Sequence, residues 1–330
     1  MDWQSVFPSH TLITNAKNHS IVESFGESPS DYQQLSQQNI LSTDIRGYIQ
    51  LSGPDSAKFL QGQVSCDMNL MKRGQTINGA HLTPKGRVIF LFSAHQNQDD
   101  NILLETHHSV VELAIASFKK YSVFFKTEIT DVSDQFDSLM ISGPNSHELI
   151  RQITACHIKQ CGSSLFLLTV GTDSTIQQLD SSSADLTPAG QGYSDLMRLR
   201  SGNADVTVDT SDEFIVQMIN LDAQNYINFK KGCYTGQEIV ARAHYRGTVK
   251  RRMHLIRLDT PITPPVGASL MDRNGKVIGT IAAVAQASES AVEVLAVLPD
   301  KYLDTLEVTF DQTGFLRATH LPLPYEILEP

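Results

Sequence analysis

The chain has 330 residues, a formal net charge of −10 and 41% hydrophobic content. That length predicts two or three domains with ample apolar side chains for their cores, and the acidic balance argues against general nucleic-acid affinity. No apolar run approaches the ~18 residues of a membrane span, no basic-then-apolar signal sequence opens the chain, and cysteines 66, 156, 161 and 233 form no small disulfide framework. The expected setting is a reducing cytoplasm, with no membrane partner.

Residues 1–40 are rich in Ser, Gln, Asn and His, include the single tryptophan Trp3, and read as a loosely ordered leader. Residues 41–135 read as a first α+β module. Gly47–Ser52 alternates like a strand, Gly-Pro turns into a short helix carrying Phe59 and Leu60, and Arg87–Ser93 and Asn101–Thr106 are expected strands. Ser109–Tyr121 is an amphipathic helix and Val123–Ile129 a further strand, giving the β-α-β-β-α-β order of a split βαβ, or ferredoxin-like, unit. Leu139-Met-Ile-Ser-Gly-Pro-Asn-Ser-His-Glu-Leu-Ile150 echoes Ile49-Gln-Leu-Ser-Gly-Pro-Asp-Ser-Ala-Lys-Phe-Leu60. The echo predicts a second α+β module over 136–190, with Leu165–Val170 as its next strand. A polar surface loop is expected at Asp180–Asp185, and 191–250 holds a motif-rich segment that begins with a strand or helix at Asp195–Arg200. In 251–330 the short apolar runs Met253–Leu258, Lys276–Ile281, Ala291–Leu298 and Leu306–Phe310, with the hairpin signal Asn274-Gly275, predict a small antiparallel barrel or sandwich.

The motif-rich segment is Phe229-Lys-Lys-Gly-Cys-Tyr-Thr-Gly-Gln-Glu-Ile-Val-Ala-Arg-Ala-His-Tyr-Arg-Gly247. Thr235 and Glu238 have capping-box spacing, which predicts a helix opening near Thr235. Cys233 would then sit just outside a helix N-terminus beside Lys230 and Lys231, conditions that favour a thiolate; the alternative is a structural turn whose cysteine only packs. His244 lies roughly 13 Å along such a helix, too far for a Cys–His dyad. Arg242 and Arg246 are one turn apart, able to face one ligand; the alternative is that Arg242 pairs with Glu238, one turn earlier. From Lys230 to Arg252 seven cations face the single acid Glu238. No phosphate-loop or dinucleotide fingerprint is present, and Cys156-His157 with Cys161 lacks the second pair of a zinc site, so no metal site is expected.

Lys231-Gly-Cys-Tyr-Thr-Gly-Gln-Glu238 resembles the signature of the YgfZ family of folate-binding proteins, relatives of the glycine cleavage T protein. Glu213–Asp222, Arg246–Arg251, Gly53–Asp67 and Leu82-Thr-Pro-Lys-Gly-Arg87 agree with it, and the resemblance runs from about Ile45 to the C-terminus with a weak patch near 131–191. It implies an α+β protein of two ferredoxin-like modules and a C-terminal β-barrel around a folate cleft, with tetrahydrofolate or a one-carbon derivative as cofactor. It implies Cys233 as a reactive thiol at the cleft edge, and cofactor contacts at Lys231, Gly232, Tyr234, Gln237, Glu238, Arg242 and Arg246. Arg46 and Ser194 stand where family members place ligand-flanking tryptophans. Tyr193 or Tyr48 would then substitute in stacking, or Arg46 through its guanidinium plane.

The function implied is an accessory protein for iron–sulfur enzymes, its transient clients, including radical enzymes that methylthiolate tRNA. The rivals are a folate-dependent aminomethyltransferase or demethylase, for which Asp67, Asp195 and Asp222 are available acids, and a direct tRNA-binding module built on Lys230–Arg252.

Overall fold

Two glycines ninety positions apart in the chain, Gly53 at φ +113° and Gly143 at φ +125°, open the same local structure twice. In each a strand ends, the glycine turns the backbone, proline follows, and a short helix begins at Ser56 or Ser146, whose amide donates back to the glycine carbonyl at 3.2 Å. A Cβ would lie 2.4 Å from the Lys126 carbonyl oxygen at Gly53 and 2.3 Å from that of Gln38 at Gly143. Only glycine combines that approach with a left-handed φ. Gly143→Ala is therefore expected to cost about 1–3 kcal/mol, read as a lowered urea midpoint; an unmoved midpoint would remove the steric argument.

The computed structural model describes residues 7, 10–14, 22–97, 99–153, 155–172, 186–247, 249–305, 307–310 and 314–327. Trp3 and the Asp180–Asp185 tract lie outside the described residues. In chain order, β1 (Ile13–Thr14) and β2 (Val22–Ser24) pair with each other, and α1 (Tyr32–Leu35) leads into β3 (Ile40–Asp44) and β4 (Arg46–Ser52). Then come α2 (Ser56–Gln63), β5 (Ile77–Leu82), β6 (Val88–Gln96), β7 (Ile102–His107), α3 (Val111–Lys119) and β8 (Glu128–Asp131). β9 (Phe136–Ser142), α4 (Ser146–Leu149), β10 (His157–Gly162), β11 (Leu165–Gly171) and β12 (Thr187–Ala189) follow, then α5 (Gln191–Arg200) and α6 (Gln237–Arg246). The last strands are β13 (Arg252–Leu258), β14 (Ser269–Met271), β15 (Val277–Ser288), β16 (Ala291–Leu298), β17 (Glu307–Val308) and β18 (Leu316–Leu321).

Besides the β1–β2 pair, the described residues form three larger sheets: β5-β6-β7-β4-β8, β10-β11-β9-β3-β12, and the barrel-like β14-β15-β16-β13-β18-β17. The α+β class and the C-terminal antiparallel barrel expected from the sequence are present. Details differ for physical reasons. The first sheet has an extra edge strand, β5, whose Gly79 lets Phe92 and Cys66 approach to within 2.6 Å of where a Cβ would stand; glycine and histidine in that strand hide it from apolar counting. Val123–Ile129 is a 3-10 turn at Ser122–Phe124 followed by β8, so the strand starts at Glu128. β3, placed in the first module by the boundary at residue 41, instead pairs antiparallel with β9 and parallel with β12 in the second sheet. The described part of the leader is packed rather than loose: Phe7, Val22 and Phe25 enter the core with Leu139, Ile141 and Leu168.

A central apolar cluster joins the three sheets, drawing Tyr193, Leu196 and Leu199 from α5, Tyr234 and Val240 from the signature, and Leu255, Leu295 and Val297 from the barrel. Position 195–200 is thus helical, and α5 runs through the middle of the molecule. Among the described residues no helix is long and apolar enough to cross a membrane.

Candidate functional site

Three of the stretches that carry the family resemblance, Gly53–Asp67, Leu82–Arg87 and Lys231–Glu238, meet in one place. The Lys231 ammonium is turned inward, donating to the carbonyls of Gln61 at 2.8 Å in the last turn of α2 and of Val64 at 2.6 Å and Cys66 at 2.7 Å just beyond it. An ammonium has three donors and all three are used, while its charge also lies 5.0 Å over the Tyr234 ring. Burial pulls its pKa down to about 8, against the charges of Cys66 and Asp67 that hold it up. Asn228 donates from its amide to the Ser65 carbonyl at 2.9 Å, and Ser65 Oγ donates to the Tyr226 carbonyl at 2.6 Å. On the other side, the Thr83–Gly86 turn presses on the start of α6, where a Cβ on Gly236 would stand 2.5 Å from the Thr83 carbonyl oxygen.

That contact moves the helix start. α6 opens at Gln237 after Gly236 at φ +83°, with no side-chain cap, so the expected capping box of Thr235 and Glu238 does not form. Cys233 is exposed and precedes the helix by four residues rather than adjoining its N-cap. Lys231 spends its charge on the three carbonyls, leaving Lys230 as the exposed lysine flanking the thiol. His244 stacks on Phe229 at 3.9 Å, consistent with its exclusion as a partner for Cys233. Among the described residues no ion pair joins Arg242 to Glu238.

Three hollows lie elsewhere, along α5. One of about 420 Å³ is bordered by Ser142, Gly143, Leu165, Tyr193, Arg200 and Ser201. A constriction of about 20 Å³ shares Leu165 and Ser201 with it and adds Arg46, Ser93, Lys159, Arg198, Asp205 and Tyr226. A third hollow of about 170 Å³ shares Arg198 and Asp205 with the constriction, and adds His107, Asp195 and Ala282–Val284. Shared walls place the three hollows side by side along α5, with the constriction between the other two; this row of hollows is the channel.

The narrowing is a buried ion network. Arg46, with its side chain 4% exposed, pairs with Asp205 at 2.8 Å and approaches Glu105 at 3.4 Å. Arg198 pairs with Asp44 and reaches Asp205 at 3.5 Å. Burial works to raise the Asp205 pKa, yet the two guanidiniums outweigh it and hold the carboxyl well below the usual range. Lys159 enters from β10 and donates to Ser93 Oγ at 2.6 Å. Asp195 differs: it is exposed at the edge of the third hollow and accepts from Gln191 Nε2 at 2.7 Å, and the surrounding protein raises its carboxyl above the usual carboxylate range. Burial pushes the neighbouring His107 down to about 4.

Of the residues expected at a cofactor, Arg46 and Tyr193 border the channel, and Tyr193 does so as a nearly sealed side chain whose hydroxyl meets Ser142 at 3.2 Å. Ser194 is fully buried, its hydroxyl bonded to Ser42 Oγ at 2.7 Å and to the Thr43 carbonyl, so it faces away from the hollows. Tyr48 is sealed against Phe136 and Ser138. Lys231, Gly232, Cys233, Tyr234, Gln237, Glu238, Arg242 and Arg246 border none of these three hollows; they form an outer clasp. Sequence reasoning missed Asp205, Arg198 and Lys159 altogether and did not separate Asp195 from Asp67 and Asp222. Asp222 is occupied by Arg252 at 2.8 Å, and Asp67 caps a 3-10 turn through the Asn69 amide. The signal available was the run Asp195-Leu-Met-Arg198, an acid and a base one turn apart on a helix of otherwise apolar inner face. Among the described residues no cluster of three His, Cys, Asp or Glu stands ready for a metal ion.

Comparisons with known proteins bear on the family and the fold. Residues 37–165 match the family model described as GCVT N-terminal domain. A tRNA-modifying protein YgfZ from Yersinia enterocolitica is 31% identical over 88% of this chain and 93% of its own length. One from Colwellia psychrerythraea is 29% identical over 89% of this chain and 95% of its own. Among solved structures, the glycine cleavage system aminomethyltransferase T from Bartonella henselae superposes with a TM-score of 0.67 at 15% identity, covering 96% of this chain and 94% of that one. At that identity the likeness is one of fold.

Proposed function

The chain belongs to the YgfZ family, and from that premise we propose that it is a folate-binding accessory protein supporting the assembly or repair of iron–sulfur enzymes, among them radical enzymes that methylthiolate tRNA. The observation that carries the folate reading is the channel along α5. A reduced pterin asks for a slot with a carboxyl group to meet its amine edge, and its glutamate tail asks for cations. Asp195 supplies the first in the 170 Å³ hollow, which is smaller than the roughly 300–1,000 Å³ of a complete ligand pocket and suits a ring system. Arg46, Lys159 and Arg198 supply cations in the constriction, and accommodating a whole folate requires the Arg46–Asp205–Arg198 network to part. Tetrahydrofolate, or a one-carbon derivative of it, is the cofactor this residue set fits.

Cys233 is assigned to the client side of that role, since it is exposed on the clasp and not at the channel. In a strain lacking the gene, Cys233→Ala is expected to restore little methylthiolated tRNA while the wild type restores it in full. Equal restoration by both proteins removes the thiol from the account, and normal iron–sulfur enzyme activity in the deletion strain removes the accessory role.

One observation favours a second reading, folate-dependent one-carbon transfer. A carboxyl raised above its ordinary range at the edge of a hollow that suits a ring system is a candidate for proton transfer. Under this reading pure protein converts an aminomethyl donor and tetrahydrofolate into methylenetetrahydrofolate, and Asp195→Asn slows that conversion about 100-fold or more. Absence of turnover with intact folate binding leaves the accessory reading alone.

A further inference from the structure

We propose that the outward face of α6 and its flanks bind a phosphodiester strand carrying an unpaired base, with Tyr245 as the stacking platform. The argument is independent of the folate channel. Arg242, Tyr245 and Arg246 fall at i, i+3 and i+4 and so lie on one side of the helix. All three are exposed, and Tyr245 shows 67% of its surface. The opposite side is used for packing, with Val240 buried and its carbonyl accepting from Gln217 Nε2 at 2.9 Å. Tyr245 is braced: His244 stacks on Phe229, and Tyr245 meets both rings edge-on, at 4.7 Å from His244 and 6.3 Å from Phe229. An exposed tyrosine held by two rings presents a fixed aromatic face.

Cations surround it. Lys230 before the helix and Lys250 and Arg251 after it are exposed, as is Lys85 on the turn that presses against Ile239. Among the described residues none of these side chains, nor Arg242 and Arg246, is held in an ion pair, and Glu238 is the acid on the stripe. In a chain of net charge −10 such a concentration is not a consequence of composition. Paired cations elsewhere in the protein, such as Arg46, Arg198 and Arg252, sit against carboxylates; these do not. Spaced cations around an exposed ring match a single strand or loop, because phosphates follow the charges and every base has a face to stack. The side of a duplex, whose bases are stacked on one another, or an acidic protein surface uses the cations and has no use for the ring.

The test is fluorescence anisotropy with a labelled tRNA, a loop-free RNA duplex and a single-stranded DNA of matched length, titrated at several salt concentrations. For tRNA, the wild-type affinity is expected to fall steeply with salt, and Arg242→Ala with Arg246→Ala together to lower the log–log slope by about 1.4. Tyr245→Ala should weaken tRNA about ten-fold while leaving the duplex unchanged. Equal loss on single-stranded DNA identifies the ligand as any unpaired strand; loss confined to tRNA narrows it to RNA loops. All three residues are exposed, so melting temperatures of the variants should match the wild type. No tRNA binding at ~50 mM salt overturns the proposal, as does an unchanged slope in the double variant. Binding of polyglutamate as tight as that of tRNA, with Tyr245→Ala indifferent for both, overturns it in favour of an acidic protein partner.

Discussion

Asp205→Ala should destabilise the folded chain by about 3–5 kcal/mol, because it leaves two guanidiniums facing each other in a buried constriction. Arg46 retains Glu105 only at 3.4 Å, and Arg198 retains Asp44. Neither neighbour replaces a carboxylate that both arginines share. Asp205→Asn keeps the volume and loses the charge, so it should fall in the same direction. The pH dependence follows from the depressed pKa of Asp205. Its contribution is fully present above the ordinary carboxylate value of about 4 and is lost as pH falls below that toward the folded-state value. The difference in urea midpoint between wild type and Asp205→Asn should therefore be large at pH 7 and shrink under strongly acidic conditions. A variant as stable as the wild type at pH 7 would mean the arginines find other partners and the network is dispensable.

Lys231→Met is expected to cost about 3 kcal/mol. The methionine keeps most of the apolar stem, but the carbonyls of Gln61, Val64 and Cys66 lose the donor on which all three converge, and buried acceptors without a partner cost about 1–3 kcal/mol apiece in the less relaxed cases. Lys231→Arg should not rescue, since a planar five-donor fork does not fit three acceptors gathered around a point. The measurement is thermal unfolding together with protease sensitivity of the 228–236 clasp. A wild-type melting temperature for Lys231→Met would show that the ammonium is not what holds the signature to α2.

How much was legible in advance depended on what kind of signal each residue carries. The echo between Gly53 and Gly143 was readable because a glycine–proline turn into a helix is a local device, and both glycines do adopt left-handed φ. The barrel strands β13, β15 and β16 were readable from apolar runs bounded by turns, and Gly275 takes φ +74° in the predicted hairpin. β5 was not, because its Gly79 and His81 serve packing across the sheet rather than alternation along the strand. β3 was misplaced because nothing local says that two strands separated by Ile45 enter different sheets. The capping box at Thr235 failed for a tertiary reason: the Thr83–Gly86 turn occupies the space and forces Gly236 to be the cap. The channel was the least legible feature, since Arg46, Asp205 and Lys159 meet from β4, the loop after α5, and β10. The signature motif drew attention to Cys233 and its neighbours, yet its conspicuous residues fasten the clasp, and the acid that borders a hollow lies on α5.

Titration calorimetry of tetrahydrofolate into the wild type, Asp195→Asn and Arg242→Ala tests the channel assignment most directly. The account predicts binding by the wild type, an affinity at least about ten-fold weaker for Asp195→Asn because a charged hydrogen-bond partner is lost, and no change for Arg242→Ala. Heat absent from the wild type, or an affinity that falls with Arg242→Ala and not with Asp195→Asn, would contradict it.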